Sequence, residues 1–199
     1  MSLRPRHATL LALAVAALAA LPFTVASPAQ ASSTAHAARG CANADTPASR
    51  ASRQAMRDAV VCLINAQRRL HHLPALRASS RLDRSAQAWT NEMVSTGVFS
   101  HGVNFAGRIS ATGYDWSTAG ENIATGFRTP LEVVRGWMAS QGHCENILDP
   151  SFESVGTGVN SHPLGRYGGA TWTQDFGLWM GHRPPSGNGG PAHGCPYRI

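Results

Sequence analysis

The spacing of apolar residues changes along this chain from a helical to an alternating pattern, and this change constrains the fold more than any other feature. Through the segment TPLEVVRGWMASQGH, apolar residues recur every three or four positions, which predicts amphipathic helices. Residues 152–160 and 168–179 instead alternate apolar with small or polar residues, which predicts strands, and IAT after Glu121 predicts a third, short strand. Helices that precede antiparallel strands indicate an α+β fold, with helices packed on a small sheet.

Capping signals define the ends of the predicted helices. Two long helices are predicted first, one over residues 52–72 and one from Ser80, as N-cap, to Gly97. A short helix follows in FAGRISATG, with Gly113 as its C-cap. The next begins in TPLE, where Thr129 is the N-cap and is followed by proline and, two positions later, glutamate.

The N-terminus carries the three parts of a secretory signal peptide. Two arginines precede the apolar run LLALAVAALAAL, and Ala29 and Ala31 form a small-x-small cleavage pattern. The run is shorter than the ~20 residues that span a bilayer. We therefore expect residues 1–31 to be removed and the mature chain to be secreted, without a transmembrane segment. An uncleaved membrane anchor is the alternative.

The rest of the chain is predicted to hold one domain. Residues 32–51 are small and polar and predict a flexible arm, 52–180 predict the folded domain, and the Gly- and Pro-rich residues 181–199 predict an irregular tail. The 17 basic residues are all arginine, and they are scattered rather than interleaved with aromatic residues. This distribution gives no indication of a nucleic-acid partner.

Four cysteines lie beyond the predicted signal peptide. An even number in an exported chain favours two disulfides, and three pairings are open. We favour Cys41–Cys62, which would tie the arm to the first helix, and Cys144–Cys195, which would hold the tail near the GHCEN segment. Zinc ligation by the cysteines is the alternative, although the chain contains no C-x-x-C pair.

Three short segments that we expect to be loops carry the residues best suited to chemistry. FSHG contains His101, AGENIATG contains Glu121, and GHCENIL contains His143. Two imidazoles and one carboxylate are sufficient for a divalent metal ion, and a mixed nitrogen and oxygen site suits Zn²⁺ best. Without a metal, the same residues would bind a polar ligand or run acid–base chemistry near neutral pH. The alternative is that each side chain only braces a turn.

Several enzyme motifs are absent from the sequence. The chain contains no H-E-x-x-H, no G-x-S-x-G, no P-loop and no G-x-G-x-x-G. Because the cysteines are expected to be oxidised, a cysteine nucleophile is not indicated either. The sequence alone therefore leaves open whether the protein is an enzyme.

The motifs, taken together and in order, resemble the CAP superfamily of cysteine-rich secretory, antigen 5 and pathogenesis-related proteins. They are CLINAQRRLHHLPAL, MVSTGVFSH, GYDWSTAGENIATG, TPLEVVRGWMASQGHCENIL, FESVGTGV and TWTQDFG. The resemblance covers about residues 56–178 and is strongest to the bacterial SCP-like extracellular branch. It implies an α–β–α sandwich, with a small antiparallel sheet between two helical layers.

The resemblance also implies a surface cleft lined by His101 and Glu121, which match the F-x-H and G-E-N positions of the family. Eukaryotic members have a second glutamate where this chain has Ser140, and a second histidine in G-H-Y-T-Q where this chain reads ATWTQ. His143, in the SQGH typical of the bacterial branch, is expected to take that histidine's place. The expected cleft is thus His101, Glu121 and His143, with the two histidines as metal ligands.

Three functions are compatible with the sequence, and the resemblance bears on the first of them. The favoured one is a secreted module that binds a ligand or a divalent cation such as Zn²⁺, since some members bind sterols or lipids and others bind divalent cations. The ligand would be a small molecule, a lipid or a cell-wall component. The alternatives are a metal-dependent hydrolase acting on peptides or cell-wall material, and a surface protein whose cleft residues only hold loops.

Overall fold

A computed structural model describes residues 40–185, 194–197 and 199. The predicted signal peptide, most of the predicted arm and part of the predicted tail lie outside these residues. A short 3₁₀ turn, Ala48–Arg50, precedes the regular elements. The five helices are α1 (Arg53–Leu70), α2 (Ser80–Thr96), α3 (Phe105–Ala111), α4 (Pro130–Met138) and α5 (Gln141–Leu148), and the four strands are β1 (Arg77–Ala78), β2 (Trp116–Phe127), β3 (Ser154–Asn160) and β4 (Ala170–Trp179).

The four strands form one sheet in the order β1-β3-β4-β2. The three long strands are antiparallel to their neighbours, as predicted, whereas the two-residue strand β1 runs parallel to β3 at the edge. The strand predicted after Glu121 is the twelve-residue β2 at the other edge. This arrangement places Glu121 directly opposite Asp175 of β4.

Helices cover both faces of the sheet, so the predicted α–β–α sandwich is confirmed. Helices α1, α4 and α5 pack on one face, where Trp137, Trp172 and Phe176 lie in the largest buried apolar cluster. Helices α2 and α3 pack on the other face, over a smaller cluster that contains Leu82 and Ile109. The alternation of residues along each strand supplies side chains to both layers.

Most of the predicted helix ends are confirmed. The Ser52 hydroxyl accepts a hydrogen bond from the Ala55 N–H, and the Thr129 hydroxyl accepts one from the Glu132 N–H. Gly97 ends α2 in the left-handed conformation, with φ of 71°. Because these signals depend on local backbone chemistry, the sequence is sufficient to locate them.

Two predicted caps are displaced by one residue. Ser80 is the first helical residue of α2 rather than its N-cap, which is Ser79. Gly113 follows the C-cap of α3, which is Thr112, and takes a positive φ of 79°. Adjacent serines, and a threonine before the glycine, give alternatives that differ little in local energy.

The segment GHCENIL was expected to be a loop, and this expectation was wrong. Residues Gln141–Leu148 form α5, which follows α4 after a two-residue break. Its buried residues are Cys144, Ile147 and Leu148, which pack into the main core. Burial of this apolar side stabilises a helix that is too short to be stable alone.

Both favoured disulfides are present. Cys41 is bonded to Cys62 of α1, and Cys144 of α5 is bonded to Cys195. The first holds the segment that precedes α1 against the domain. The second joins the C-terminal segment to the helix that carries His143. None of the helices in the described part of the chain is long and apolar enough to cross a membrane.

Two glycines in β3 allow α2 to approach the sheet closely. A Cβ atom at Gly156 would lie 2.1 Å from the Leu82 carbonyl carbon, and one at Gly158 would lie 2.3 Å from the Ala86 carbonyl oxygen. Both neighbours are helix backbone, which cannot move without displacing α2. We expect Gly156→Ala to lower the free energy of unfolding by about 1–3 kcal/mol, the usual cost of overpacking.

Urea denaturation followed by circular dichroism measures this effect. Gly168→Ala is the matched control, because a Cβ atom there meets nothing within 4 Å and Gly168 is not among the glycines with a positive φ. A Gly156→Ala protein as stable as the Gly168→Ala protein would contradict the close packing of α2 on β3.

Candidate functional site

The three predicted site residues come from three different elements. His101 lies in the loop between α2 and α3, Glu121 lies within β2, and His143 lies in the first turn of α5. The expectation that all three lie on loops was therefore wrong for Glu121 and His143. Because β2 is an edge strand, residues from both helical layers reach its vicinity.

Glu121 is the buried centre of the site. Its side chain is 1% exposed, whereas that of His101 is 50% exposed. His101 Nδ1 lies 2.8 Å from Glu121 Oε1, and an Arg108 guanidinium nitrogen lies 2.5 Å from Glu121 Oε2. Both carboxylate oxygens therefore have a cationic or hydrogen-bonding partner, as a buried carboxylate requires.

Arg108 of α3 joins the loop of His101 to the rest of the cleft. Its guanidinium lies 3.8 Å from the ring centroid of Trp89, and it also donates a hydrogen bond of 3.0 Å to the His101 carbonyl oxygen. Trp89 Nε1 donates to the Ser100 carbonyl oxygen at 2.9 Å. The stacked arginine and tryptophan thus hold the loop that presents His101.

Sequence analysis did not identify Arg108 as a site residue. It lies in a short helix among scattered arginines, and no motif marks it. The one available signal is that a buried glutamate needs a nearby cation, which identifies the type of partner but not its position.

A second carboxyl group lies beneath Glu121. Asp175 is 1% exposed and stands opposite Glu121 in the β2–β4 register. Burial raises the pKa of Asp175 well above its ordinary value, and the nearby charge of Glu121 raises it further. The side chain of Ser85 and the charge of Arg108 lower the pKa, but these effects are smaller than that of burial. Burial and the charge of Glu121 thus both favour the protonated form of Asp175.

His143 is held by the hydrogen bonds between α5 and β2. Asn122 Nδ2 donates to the His143 carbonyl oxygen at 3.1 Å. Asn146 Nδ2 donates to the Glu121 carbonyl oxygen at 3.2 Å and to Asn122 Oδ1 at 2.8 Å. The amides of Asn122 and Asn146 therefore set the position of α5 relative to the strand that carries Glu121.

The environment of His143 favours the neutral form of its imidazole. Partial burial lowers the pKa of His143, and the nearby charge of His101 lowers it further. A neutral imidazole has a nitrogen lone pair, which can accept a hydrogen bond or coordinate a metal ion.

The comparison with known families agrees with this fold. The sequence model of the cysteine-rich secretory protein family, CAP, matches residues 61–176, which is more than half of the chain and includes all three predicted site residues. The chain belongs to this family. The resemblance identified from the motifs is thereby confirmed.

One curated relative of this CAP protein is the uncharacterized protein YkwD of Bacillus subtilis (strain 168). The two are 39% identical over 121 residues, which is 59% of this chain and 45% of the relative. The CAP protein therefore matches less than half the length of that relative.

Solved structures support the same fold. An extracellular protein containing a SCP domain from Bacillus anthracis str. Ames has a TM-score of 0.54 and 24% identity, and the match covers 64% of this chain and 44% of that chain. An outer surface protein from Borrelia burgdorferi has a TM-score of 0.53 and 18% identity, covering 59% of this chain and 87% of that one. At these identities the likeness concerns the fold alone.

The donor set of the CAP cleft limits what a metal ion would find there. Among the described residues, no three His, Cys, Asp or Glu side chains come together in a way that could hold a metal ion. Both Glu121 oxygens are already occupied by His101 and Arg108. The cleft therefore offers two imidazoles, one fewer than the three protein ligands of a typical catalytic zinc site.

Proposed function

We propose that this CAP domain is an extracellular binding module whose cleft takes a polar ligand through the imidazoles of His101 and His143. The observation that carries the proposal is the hydrogen bond of 2.8 Å between His101 Nδ1 and Glu121 Oε1. An ionised carboxylate only accepts hydrogen bonds, so Nδ1 carries the hydrogen and Nε2 of the half-exposed ring is left for a ligand.

A divalent cation is the first candidate for this ligand. A histidine that donates its other ring N–H to a carboxylate is the usual arrangement of an imidazole that coordinates a metal. Two imidazole nitrogens are too few protein ligands to hold a resident zinc ion tightly. A cation bound here would complete its coordination with water or with donor atoms of an organic ligand. Such a ligand would be a small molecule, a lipid headgroup or a cell-wall component.

The alternative of a metal-dependent hydrolase has less support. It needs a carboxylate that can accept a proton from a bound water molecule. Glu121 has a side chain that is 1% exposed and is engaged by both His101 and Arg108. This engagement favours an orienting role for Glu121 over a role as a general base.

An extracellular location is supported by three observations. Two disulfides join distant parts of the chain, and disulfides persist in oxidising compartments. The N-terminal sequence has the pattern of a secretory signal peptide. The structurally similar protein of Bacillus anthracis is itself described as extracellular.

Calorimetric titration of the mature chain with Zn²⁺ tests the proposal. We expect saturable binding in the micromolar range that is lost in the His101→Ala/His143→Ala double variant, because both imidazoles would contribute. The control is a His72→Ala/His162→Ala variant, which removes two exposed histidines outside the cleft and should bind like the parent protein.

Two results would count against a cation site. Equal binding by the parent and the cleft variant would mean that Zn²⁺ binds elsewhere. The absence of binding in the folded parent would mean that the two histidines do not hold a cation, and the search would move to organic ligands of the cleft.

A further inference from the structure

A second concave site lies away from the cleft. It is a surface cavity of about 480 Å³, bounded by the segment before α1, by the start of α1, by Asn91 of α2 and by the end of β3 with the residues that follow it. It shares no residue with the cleft of His101, Glu121 and His143. Its volume lies within the range of small-molecule sites, which is roughly 300–1,000 Å³.

The lining of this cavity contains one donor-only group, the guanidinium of Arg53, together with several groups that both donate and accept hydrogen bonds. Arg53, Asn91 and His162 line it together with the hydroxyl groups of Ser49 and Ser161. None of the described residues that line it is acidic. A cavity with an arginine and without a carboxylate favours ligands that carry a negative charge and several acceptor oxygens.

Hydrogen bonds within the protein hold the amide groups of the cavity in one orientation. Asn91 Oδ1 accepts from Gln87 Nε2 at 3.0 Å and from Asn160 Nδ2 at 3.1 Å. Because the oxygen side of Asn91 faces these donors, its NH₂ group is left to donate to a ligand. No described residue accepts a hydrogen bond from that group.

The imidazole of His162 is oriented in the same way. Asn160 Oδ1 accepts from the His162 backbone N–H at 3.0 Å and lies 3.1 Å from His162 Nδ1. Since Asn160 Oδ1 can only accept, Nδ1 carries its hydrogen and Nε2 remains available. The Asn91 amide and the His162 imidazole are therefore positioned before any ligand arrives, which lowers the entropic cost of binding.

The wall formed by the segment before α1 is also held in place. The Ala48 N–H donates to the Arg128 carbonyl oxygen at 2.8 Å, and the Leu131 N–H donates to the Ala44 carbonyl oxygen at 2.9 Å. The Cys41–Cys62 disulfide ties the same segment to α1. The cavity is thus part of the folded domain.

We infer that this cavity binds a hydroxylated small molecule bearing one carboxylate or phosphate group, that is, a sugar acid or a sugar phosphate. The Arg53 guanidinium contacts the anionic group. The Asn91 amide and the serine hydroxyls donate to and accept from the hydroxyl groups of the ligand. Ala51 and Val159 contact its C–H surface. A ligand of this class uses both the charged and the polar part of the lining.

Nuclear magnetic resonance titration of the mature chain tests this inference with three probes: glucuronate, glucose 6-phosphate and glucose. We expect saturable shifts of the amide signals of residues 48–53 and 159–162 with at least one anionic probe. Binding of glucose should be weaker by about ten-fold or more, because a hydrogen bond to a charged group is lost. The anionic probe that binds more tightly identifies the preferred group.

Two variants locate the anion contact. Arg53→Gln should weaken binding of the anionic probe by about ten-fold or more, since it removes the charge but keeps a polar side chain. Arg50→Gln, three residues earlier and not part of the lining, should bind like the parent protein. The inference is overturned if neither anionic probe binds, if glucose binds equally well, or if the two variants behave alike. The His101→Ala/His143→Ala variant should keep this binding, which separates the result from that of the cleft.

Discussion

Replacing Arg68 with methionine should lower the free energy of unfolding by about 3–5 kcal/mol, because three carbonyl groups would lose a charged donor. Arg68 is 0% exposed. Its Nε donates to the Pro74 carbonyl oxygen at 2.7 Å, and one terminal nitrogen donates to those of Ile147 and Asp149 at 2.9 and 2.8 Å. Methionine fills a similar volume but donates no hydrogen bond.

The expected loss arises from hydrogen bonding rather than from a simple ion pair. Burial lowers the pKa of Arg68 to about 10, while the charge of Asp149 acts to raise it. The guanidinium therefore stays protonated at neutral pH and continues to donate to all three carbonyl groups. Two of these carbonyl groups lie at the C-terminal end of α5 and just after it, so the same change should also loosen the helix that carries His143.

Urea denaturation measures the stability, and the amide signals of α5 report the local effect. Arg69→Met is the matched control, because Arg69 is exposed on the same helix and should tolerate the change within about 0.5 kcal/mol. A loss of less than 1 kcal/mol in Arg68→Met would mean that water replaces the guanidinium at these carbonyl groups.

The features that could be predicted from the sequence are those determined by neighbours along the chain. The Ser52 and Thr129 caps and the end of α2 at Gly97 depend on a few adjacent residues. These signals do not require knowledge of tertiary contacts.

Helix α5 and strand β1 show where such reasoning fails. The α5 segment is only eight residues long and contains Gly142, so its sequence alone favours a turn. It becomes helical because Cys144 and Ile147 are buried against the core. Strand β1 has two residues, and its parallel pairing with β3 depends on a contact between positions about 77 residues apart. Neither element has a local signal that specifies it.

For the candidate site too, the sequence indicates single residues but not the tertiary contacts between them. His101, Glu121 and His143 were identified by motif, but their elements and partners were not. All three lie within residues 61–176, which the family model matches, and their role in a site stays a prediction. Arg108 and Asp175 were missed, because each is brought to Glu121 by tertiary structure, one through α3 and the other through the β2–β4 register.

Asp175→Asn should change how the stability of the protein depends on pH. The pKa of Asp175 is raised in the folded state, first by burial and then by the charge of Glu121. Above about pH 4 the unfolded chain releases the proton of this carboxyl group, whereas the folded chain retains it. Because the folded state binds more protons, its stability falls as the pH rises towards the folded-state pKa.

The asparagine variant lacks this titration. We expect its free energy of unfolding to decline less between about pH 5 and about pH 7, by up to about 1.4 kcal/mol for each pH unit. Asparagine has nearly the same shape as aspartic acid, so we expect the packing to be retained. Urea denaturation at a series of pH values measures the difference. Asp45→Asn, an exposed change, should keep the slope of the parent protein.

Parallel curves for the parent and the Asp175→Asn variant would mean that Asp175 is ionised in the folded protein and that two negative charges lie together beneath the cleft. Diverging curves would mean that the acid pair carries a single charge. Glu121 then holds that charge, because Arg108 and His101 contact its two oxygens. A single charge is enough to orient His101, so this outcome would explain how two buried acids lie side by side next to a site built from two imidazoles.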